Sequence, residues 1–422
     1  MSDDPLDITL EDDGGGEAPE RARVSMPQAP AGPVDVDLEE DRYHRLRLIP
    51  WWDQERLRGA RVMVVGAGAI GNEIIKSLTL LGVGRIFIAD LDRIEDSNLS
   101  RSVLFRHKDQ GRYKAEVAAD AVRDLNPDVQ AQSFVGNVVY DLGLGVYRDM
   151  DVVFGALDNR EARVAINAAC WKLNKPWIDG AIEVMQGFAR VFVPPDGPCY
   201  ECTMSELDYK LLSVRRSCAL LKREDILEGK VPTTPTTASV IAGIQVQEAI
   251  KYLHRDRNLP ILAGKGFVFN GMTHDSYIVE YQRREDCPAH DTFEGVLELD
   301  QGVAGLTGRE ALEIARREVG PEACVEFDRE ICTGLTCARC NETEPLFTSL
   351  GKVSEALGRC PKCGEMRDPQ LTHALYGDEL YLDKTLAELG LPPYDIITGR
   401  EGLTMKHWVL AKDRDAALGE TA

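Results

Sequence analysis

The 422-residue sequence contains no run of about 18 apolar residues, which excludes a helical membrane span. It is also short of positive charge. Its 49 Lys and Arg face 70 Asp and Glu, a formal net charge of -21. That deficit opposes nucleic-acid binding, which needs a basic footprint, but it leaves room for a protein partner with a basic face. The N-terminus lacks the apolar stretch of a signal peptide, so the chain is expected in the cytoplasm. Residues 1–38 are poor in aromatics and rich in Asp, Glu, Gly and Pro, and they read as a disordered acidic tail.

What is present is typical of a soluble globular protein: 44% hydrophobic and 28% charged residues, on a chain long enough for two or three domains. The 11 cysteines are read as metal ligands or catalytic thiols rather than disulfides, because the cytosol is reducing.

Strand and helix patterns alternate through the first two thirds. Strands are expected at 62–65, 85–89, 151–157 and from 176, and helices at 72–81, 114–125, 159–173 and 238–253. A hairpin is expected around Asn270-Gly271. Alternation of this kind predicts a mostly parallel Rossmann-like α/β sheet with helices on both faces. From about residue 295 the texture changes to a cysteine-rich α+β module. Helical patterns are seen there at 308–318, 352–357 and 382–389, and strands at 379–382 and 408–411.

Gly66-Ala67-Gly68-Ala69-Ile70-Gly71 fits G-x-G-x-x-G between a strand and a helix, the arrangement that lets backbone amides approach a phosphate. Asp90 ends the following strand, where a ribose-binding carboxylate belongs. Alone, this would equally suit a nicotinamide or flavin dinucleotide. Asp92, Asn98, Arg101 and Lys114 follow on the side where phosphates would lie, and two cations there suit attack at an α-phosphate better than hydride transfer. Asp158 follows the strand at 151–157, a position from which a carboxylate can hold Mg2+.

In combination, GAGAIG, IADLDRIEDSNLSR, GRYKAEVA and LDNREAR resemble the ubiquitin-activating-enzyme/MoeB/ThiF adenylyltransferases over residues 41–291. The resemblance implies adenylation, with ATP and Mg2+, of the C-terminal glycine of a ubiquitin-like or sulfur-carrier protein. It implies that Asp90 binds ribose, that Asn98, Arg101 and Lys114 contact phosphates, and that Asp158 organises Mg2+. Arg42-Tyr43-His44-Arg45 is similar to the family's RYxRQ, in which the second arginine reaches the partner subunit's ATP site. This makes Arg45 a candidate finger in trans and the enzyme a homodimer. Leu46 stands where the family has Gln, and Ala69 where Gly is commoner; neither change removes a charge.

Two zinc constellations are expected. Cys199 and Cys202 (GPCYECTM) pair with Cys287 and His290 (EDCPAHD), a Cys3His variant of a site the family often carries. Cys337-x2-Cys340 and Cys360-x2-Cys363 match a zinc ribbon, and four thiolates leave no open position for catalysis. Cys170, Cys324 and Cys332 are expected in the core. Cys218 differs, because Arg215, Arg216, Lys222 and Arg223 surround it and cations raise the thiolate fraction. It lies in a crossover segment, about 203–231, before the Thr-rich helix start. Ubiquitin-activating members carry their acceptor cysteine there, so the resemblance makes Cys218 the thioester nucleophile.

LAELGLPPYDIITGR resembles the end of a ubiquitin-like fold, as in domains that recruit a conjugating enzyme. The expected organisation is therefore a tail at 1–38, an adenylation domain at 39–294 and a zinc-bound, partner-docking module at 295–422. The alternatives are a sulfur-carrier adenylyltransferase without an obligatory thioester, a nucleotide-sensing scaffold and a nicotinamide oxidoreductase.

Overall fold

The computed structural model describes residues 41–209 and 232–419. The chain divides at Pro50/Trp51 into two compact units. In the first, a single helical turn, His44–Arg47, carries Arg45, and Arg47 donates to Asp41 at 2.8 Å.

The larger unit is built on an eight-stranded sheet of order β3-β2-β1-β4-β5-β6-β7-β8. The strands are β1 (Arg61–Val65), β2 (Arg85–Ala89), β3 (Gln130–Phe134), β4 (Val152–Gly155), β5 (Trp177–Glu183), β6 (Gln186–Phe192), β7 (Lys265–Asn270) and β8 (Asp275–Glu280). The first five in sequence run parallel and the last three antiparallel. The central strands are apolar over Val62–Val65 and Val152–Gly155 because both faces are covered. Successive side chains alternate between faces: Val62, Val64, Ile86, Ile88 and Phe154 enter one core, Met63, Val65, Phe87 and Val153 the other.

The first core is closed by the helices Ala69–Leu81, Lys114–Leu125 and Pro235–Leu253. Each begins and ends for a local reason. Gly82 takes a left-handed conformation (φ 73°) that stops the first, Asn126-Pro127 stops the second, and the Thr234 side chain accepts from the Thr237 N–H to start the third. The second core is closed by the helix Arg160–Lys172, by Leu144–Arg148, and by Tyr394, Ile396, Val409 and Leu418 from the C-terminal region.

That region forms a second sheet from β9 (Val296–Leu299), β10 (Cys324–Cys337), β11 (Glu342–Ser349), β12 (Asp368–Leu375), β13 (Ile396–Glu401) and β14 (Thr404–Leu410). Its order is β11-β10-β13-β14-β9, with β12 also on β10 and β9 parallel to β14. The helix Gly308–Glu318 packs on β10 and β13. It opens with a capping box between Thr307 and Glu310.

Three expectations for this region are overturned. Residues 379–382 form turns, not a strand, and 382–389 form turns, not a helix. The pattern at 352–357 splits into a 3-10 turn, Leu350–Lys352, and a short helix, Glu355–Gly358, started by the Ser354 cap. In the first sheet, the strand expected at 151–157 ends at Gly155. The Leu157 carbonyl turns away to accept from Arg163. Among the described residues, no helix is long and apolar enough to cross a membrane.

Candidate functional site

The glycine loop links β1 to the helix Ala69–Leu81, at the C-terminal edge of the parallel strands. Gly66 has φ +94°, and a Cβ there would lie 2.4 Å from the Ala156 carbonyl oxygen. A Cβ on Gly71 would lie 1.9 Å from the Gly66 oxygen. Both positions therefore require glycine. Gly68 has open space where its Cβ would project, which leaves its backbone accessible to a ligand.

Asp90 leaves β2 beside this loop. One carboxylate oxygen accepts from the Ala67 N–H and the other from the Asp92 N–H, both at 2.7 Å. Burial pushes its carboxyl above the usual value, although Lys114 and the Ala67 N–H pull the other way. Lys114 is the first residue of its helix; its side chain is only 11% exposed and its ammonium lies 2.8 Å from Asp92. Glycine loop, Asp90, Asp92 and Lys114 thus form one contiguous group.

Asn98 and Arg101 lie on the next segment. Asn98 is buried and its Oδ1 accepts from the Glu95 N–H at 3.0 Å, fixing the 3-10 turn Asp96–Ser100. Arg101 follows that turn and donates to the Ser97 carbonyl at 2.7 Å. The strand β4 neighbours β1, and the Ala156 N–H donates to the Val65 carbonyl at 2.8 Å, which brings the Asp158 loop alongside the glycine loop. Asp158 is exposed. One exposed carboxylate at a strand end suits Mg2+, which keeps most of its waters and needs one or two protein carboxylates.

Sequence reasoning missed the residues that hold these pieces in place. Asn72 is fully buried; its Nδ2 donates to the Ala67 and Gly68 carbonyls (2.7 and 3.1 Å), and its Oδ1 accepts from the Leu104 N–H (2.8 Å). It joins the glycine loop to the segment that carries Arg101. Behind Asp158, Arg163 Nε donates to the fully buried Asp179 at 2.8 Å, and Arg163 also holds the Leu157 and Gly180 carbonyls. Arg190 donates to the other Asp179 oxygen. Gln245, in the helix Pro235–Leu253, donates to the Gly155 and Ile178 carbonyls at 3.1 and 2.9 Å. Their positions carried a signal: Asn72 directly follows the last loop glycine, and Arg163 closes LDNREAR.

Residues 41–289 match the ThiF family, more than half of the chain. The chain belongs to the ThiF family. Among its relatives is the sulfur carrier protein adenylyltransferase of Thermus thermophilus, 40% identical over 39% of this chain and 64% of that protein. The SAMP-activating enzyme E1 of Haloferax volcanii is 35% identical over 56% of this chain and 82% of that protein. Ubiquitin-like modifier-activating enzyme 5 of Dictyostelium discoideum is 30% identical over 50% of this chain and 57% of that protein. This ThiF-family chain thus spans less than two thirds of the first and last of these. In fold it is similar to E. coli MccB crystallised with ATP, with a TM-score of 0.50 and 23% identity over 60% of this chain and 75% of that one.

The ThiF-family chain also assembles both expected cysteine clusters, whose donor atoms lie within 4.8 Å of one another. Cys199 Sγ stands 3.8 Å from Cys202 Sγ and 3.6 Å from Cys287 Sγ, and Cys202 Sγ 3.3 Å from His290 Nε2. In the ribbon, Cys337–Cys363 and Cys340–Cys360 are 3.5 and 3.9 Å apart. A tetrahedral zinc with Zn–S bonds of about 2.3 Å sets sulfurs roughly 3.8 Å apart, so both donor sets fit the ion. The first set is further shaped by Trp171, which stacks on His290, and by the Arg284 N–H donated to Cys202.

Of the other cysteines, Cys170 and Cys332 are buried as expected, whereas Cys324 is only half-buried at the start of β10. Cys218 lies outside the described residues. Arg45 belongs to the smaller unit.

Proposed function

We propose that this ThiF-family chain adenylates the C-terminal glycine carboxylate of a small ubiquitin-like or sulfur-carrier protein. A carboxylate oxygen of that glycine attacks the α-phosphorus of ATP; the new O–P bond forms as the bond to pyrophosphate breaks. The observation that carries this reading is the contiguity of the Gly66–Gly71 loop with Asp90 and Lys114 at one strand edge. Loop amides and the helix start receive phosphate, and Asp90 accepts from ribose hydroxyls. Lys114, Arg101 and Asn98 oppose charge that builds in the transition state. Asp158 would hold Mg2+ together with ATP's phosphates, and the ion would supply charge neutralisation there. The family of relatives named for sulfur-carrier and modifier activation supports the substrate class.

In the second step, the Cys218 thiolate attacks the acyl carbon, the acyl–phosphate bond breaks and AMP leaves. The cations around Cys218 in the sequence support this role. The thioester then passes to a conjugating enzyme, for which the C-terminal module is the proposed dock. We read the active form as a homodimer in which Arg45 reaches the partner's ATP.

Pyrophosphate exchange that requires a Gly-ended carrier protein tests the adenylation. It should fall at least about 100-fold in Lys114→Ala, the scale of losing one transition-state contact; exchange indifferent to that change rejects the site. A non-reducing gel tests the thioester. A reductant-sensitive carrier adduct should form with ATP and vanish in Cys218→Ala. Its persistence in that variant excludes Cys218. Exchange without any adduct favours the second reading, carrier activation without a thioester, which the name of the Thermus relative supports.

A further inference from the structure

The parallel strands have a second end. Arg148 and Asp149 precede β4, and Lys175 precedes β5, at the edge opposite the glycine loop. There a cavity of about 570 Å3 opens between the first lobe, the one built on the eight-stranded sheet, and the C-terminal region. That volume is within the range of small-molecule sites, about 300–1,000 Å3. Four of its lining residues are cations (Arg148, Lys172, Lys175, Arg414) and two are carboxylates (Asp149, Glu298). This balance is the reverse of the chain as a whole, whose net charge is -21.

The pairings decide what the cavity can take. Arg148 donates to Glu298 at 3.0 Å and Arg414 Nε to Asp149 at 2.7 Å, so both carboxylates that would repel an anion are already engaged. Tyr394 OH also donates to Asp149, at 3.1 Å. Lys172 is paired with Asp328. Lys175 is left over: it is half-buried, and among the described residues its ammonium has no hydrogen-bond or ion-pair partner. Burial depresses its pKa, against the opposing charges of Asp151 and Asp149. A partly desolvated ammonium without a counter-ion is costly unless something anionic joins it.

We propose that this cavity binds a small phosphate-bearing anion, with Lys175 as its charge contact and Arg148 and Arg414 at its sides. Lysine serves such ligands as a compact point charge. Because the walls come from both lobes, the bound anion would tie the C-terminal region to the first sheet at a point separate from the nucleotide loop. Binding would then stabilise the fold through mass action.

Inorganic phosphate is the probe, titrated into the full chain at constant ionic strength and followed by 31P NMR line broadening and by thermal melting. Saturable binding and a raised melting temperature are expected. Lys175→Met should weaken binding at least tenfold and remove the melting shift, while Lys175→Arg retains both. Lys114→Ala, in the nucleotide site, should leave the cavity's phosphate response in place. If Lys175→Met does not fold, Lys175→Gln provides the same comparison. Absence of saturable binding overturns the proposal, as does equal affinity in the lysine-deleted chain. Loss of the response in Lys114→Ala also overturns it, by assigning phosphate to the nucleotide site instead.

Discussion

Asn72 uses every polar atom of its side chain, and each bond ties down a piece of the candidate site. It holds two carbonyls of the glycine loop and receives the Leu104 N–H, three residues beyond Arg101. Replacing it by alanine leaves a buried N–H unpaired, at a stability cost of about 1–3 kcal/mol. A purely structural role would end there. If Asn72 positions Arg101, Asn72→Ala should lower the exchange rate about tenfold in the native chain and hardly at all in an Arg101→Ala background. Contacting or coupled pairs typically differ from additivity by about 0.5–3 kcal/mol; strictly additive losses would rule out positioning. Asp90 carries a pH dependence of its own. Burial raises its carboxyl pKa above the ordinary 3.8, so the folded chain holds that proton more tightly than the unfolded chain does. The stabilising protonation is present at acid pH and lost as pH rises through the raised value. The ribose contact proposed for Asp90 needs the ionised acceptor, and the two demands oppose one another. ATP affinity measured by calorimetry should therefore weaken as pH falls toward the raised Asp90 pKa. Asp90→Asn should remove that dependence together with most of the affinity.

Elements differ in how far their sequence determines them. The β1–helix–β2 unit is legible because its signals are local: an apolar run at Val62–Val65, glycines that sterics demand, and a left-handed Gly82 at the helix end. Residues 382–389 depart from their helical pattern for a physical reason. Leu382, Leu386 and Leu389 have helical spacing and are all buried. They reach the core from consecutive turns, held by the Thr307–Thr385 bridge and by Thr385–Glu388 hydrogen bonds. Spacing reported burial but not backbone. Asp179 and Gln245 act across 16 to 90 positions of sequence, which no local pattern reveals. The two cysteine clusters were legible from spacing, yet they occupy different elements, and zinc removal should distinguish them. Cys199 and Cys287 join the chain after β6 to the chain after β8, packed beside Trp171 in the second core. The ribbon pins the β10–β11 turn to the loop before β12. Metal analysis should find two zinc ions per chain, falling to one in either Cys287→Ser or Cys337→Ser. Only Cys287→Ser should lower the melting temperature of the lobe that carries the glycine loop; Cys337→Ser should leave pyrophosphate exchange near normal. Equal loss of exchange in both variants would contradict this division.

At the scale of the whole molecule, the question is whether the C-terminal region hangs from the ThiF-family lobe or completes it. Tyr394, Ile396, Val409 and Leu418 share one core with Met63, Phe87 and Trp171. The contact is close enough to require glycine: a Cβ on Gly143 or Gly145 would lie 2.4 Å from a carbonyl oxygen of Pro393 or Tyr394. A buried ion pair fastens it. Arg329 donates to Asp395 at 2.9 Å and to the Tyr140 and Leu142 carbonyls, while Asp395 accepts from the Leu144 N–H at 2.9 Å. Deleting residues 295–422 would therefore expose apolar surface on the first lobe, and a truncation that abolishes exchange says nothing about partner docking. A point change separates the two roles. Asp395→Ala leaves the buried Arg329 without its counter-ion, which typically costs about 3–5 kcal/mol. The melting temperature should drop sharply in Asp395→Ala, and Arg329→Met with Asp395→Leu together should recover part of the loss, since two apolar groups leave no orphaned charge. If the single change leaves the melting temperature unaltered, the C-terminal region is attached only loosely. Truncation would then become a fair test of whether it recruits a conjugating enzyme.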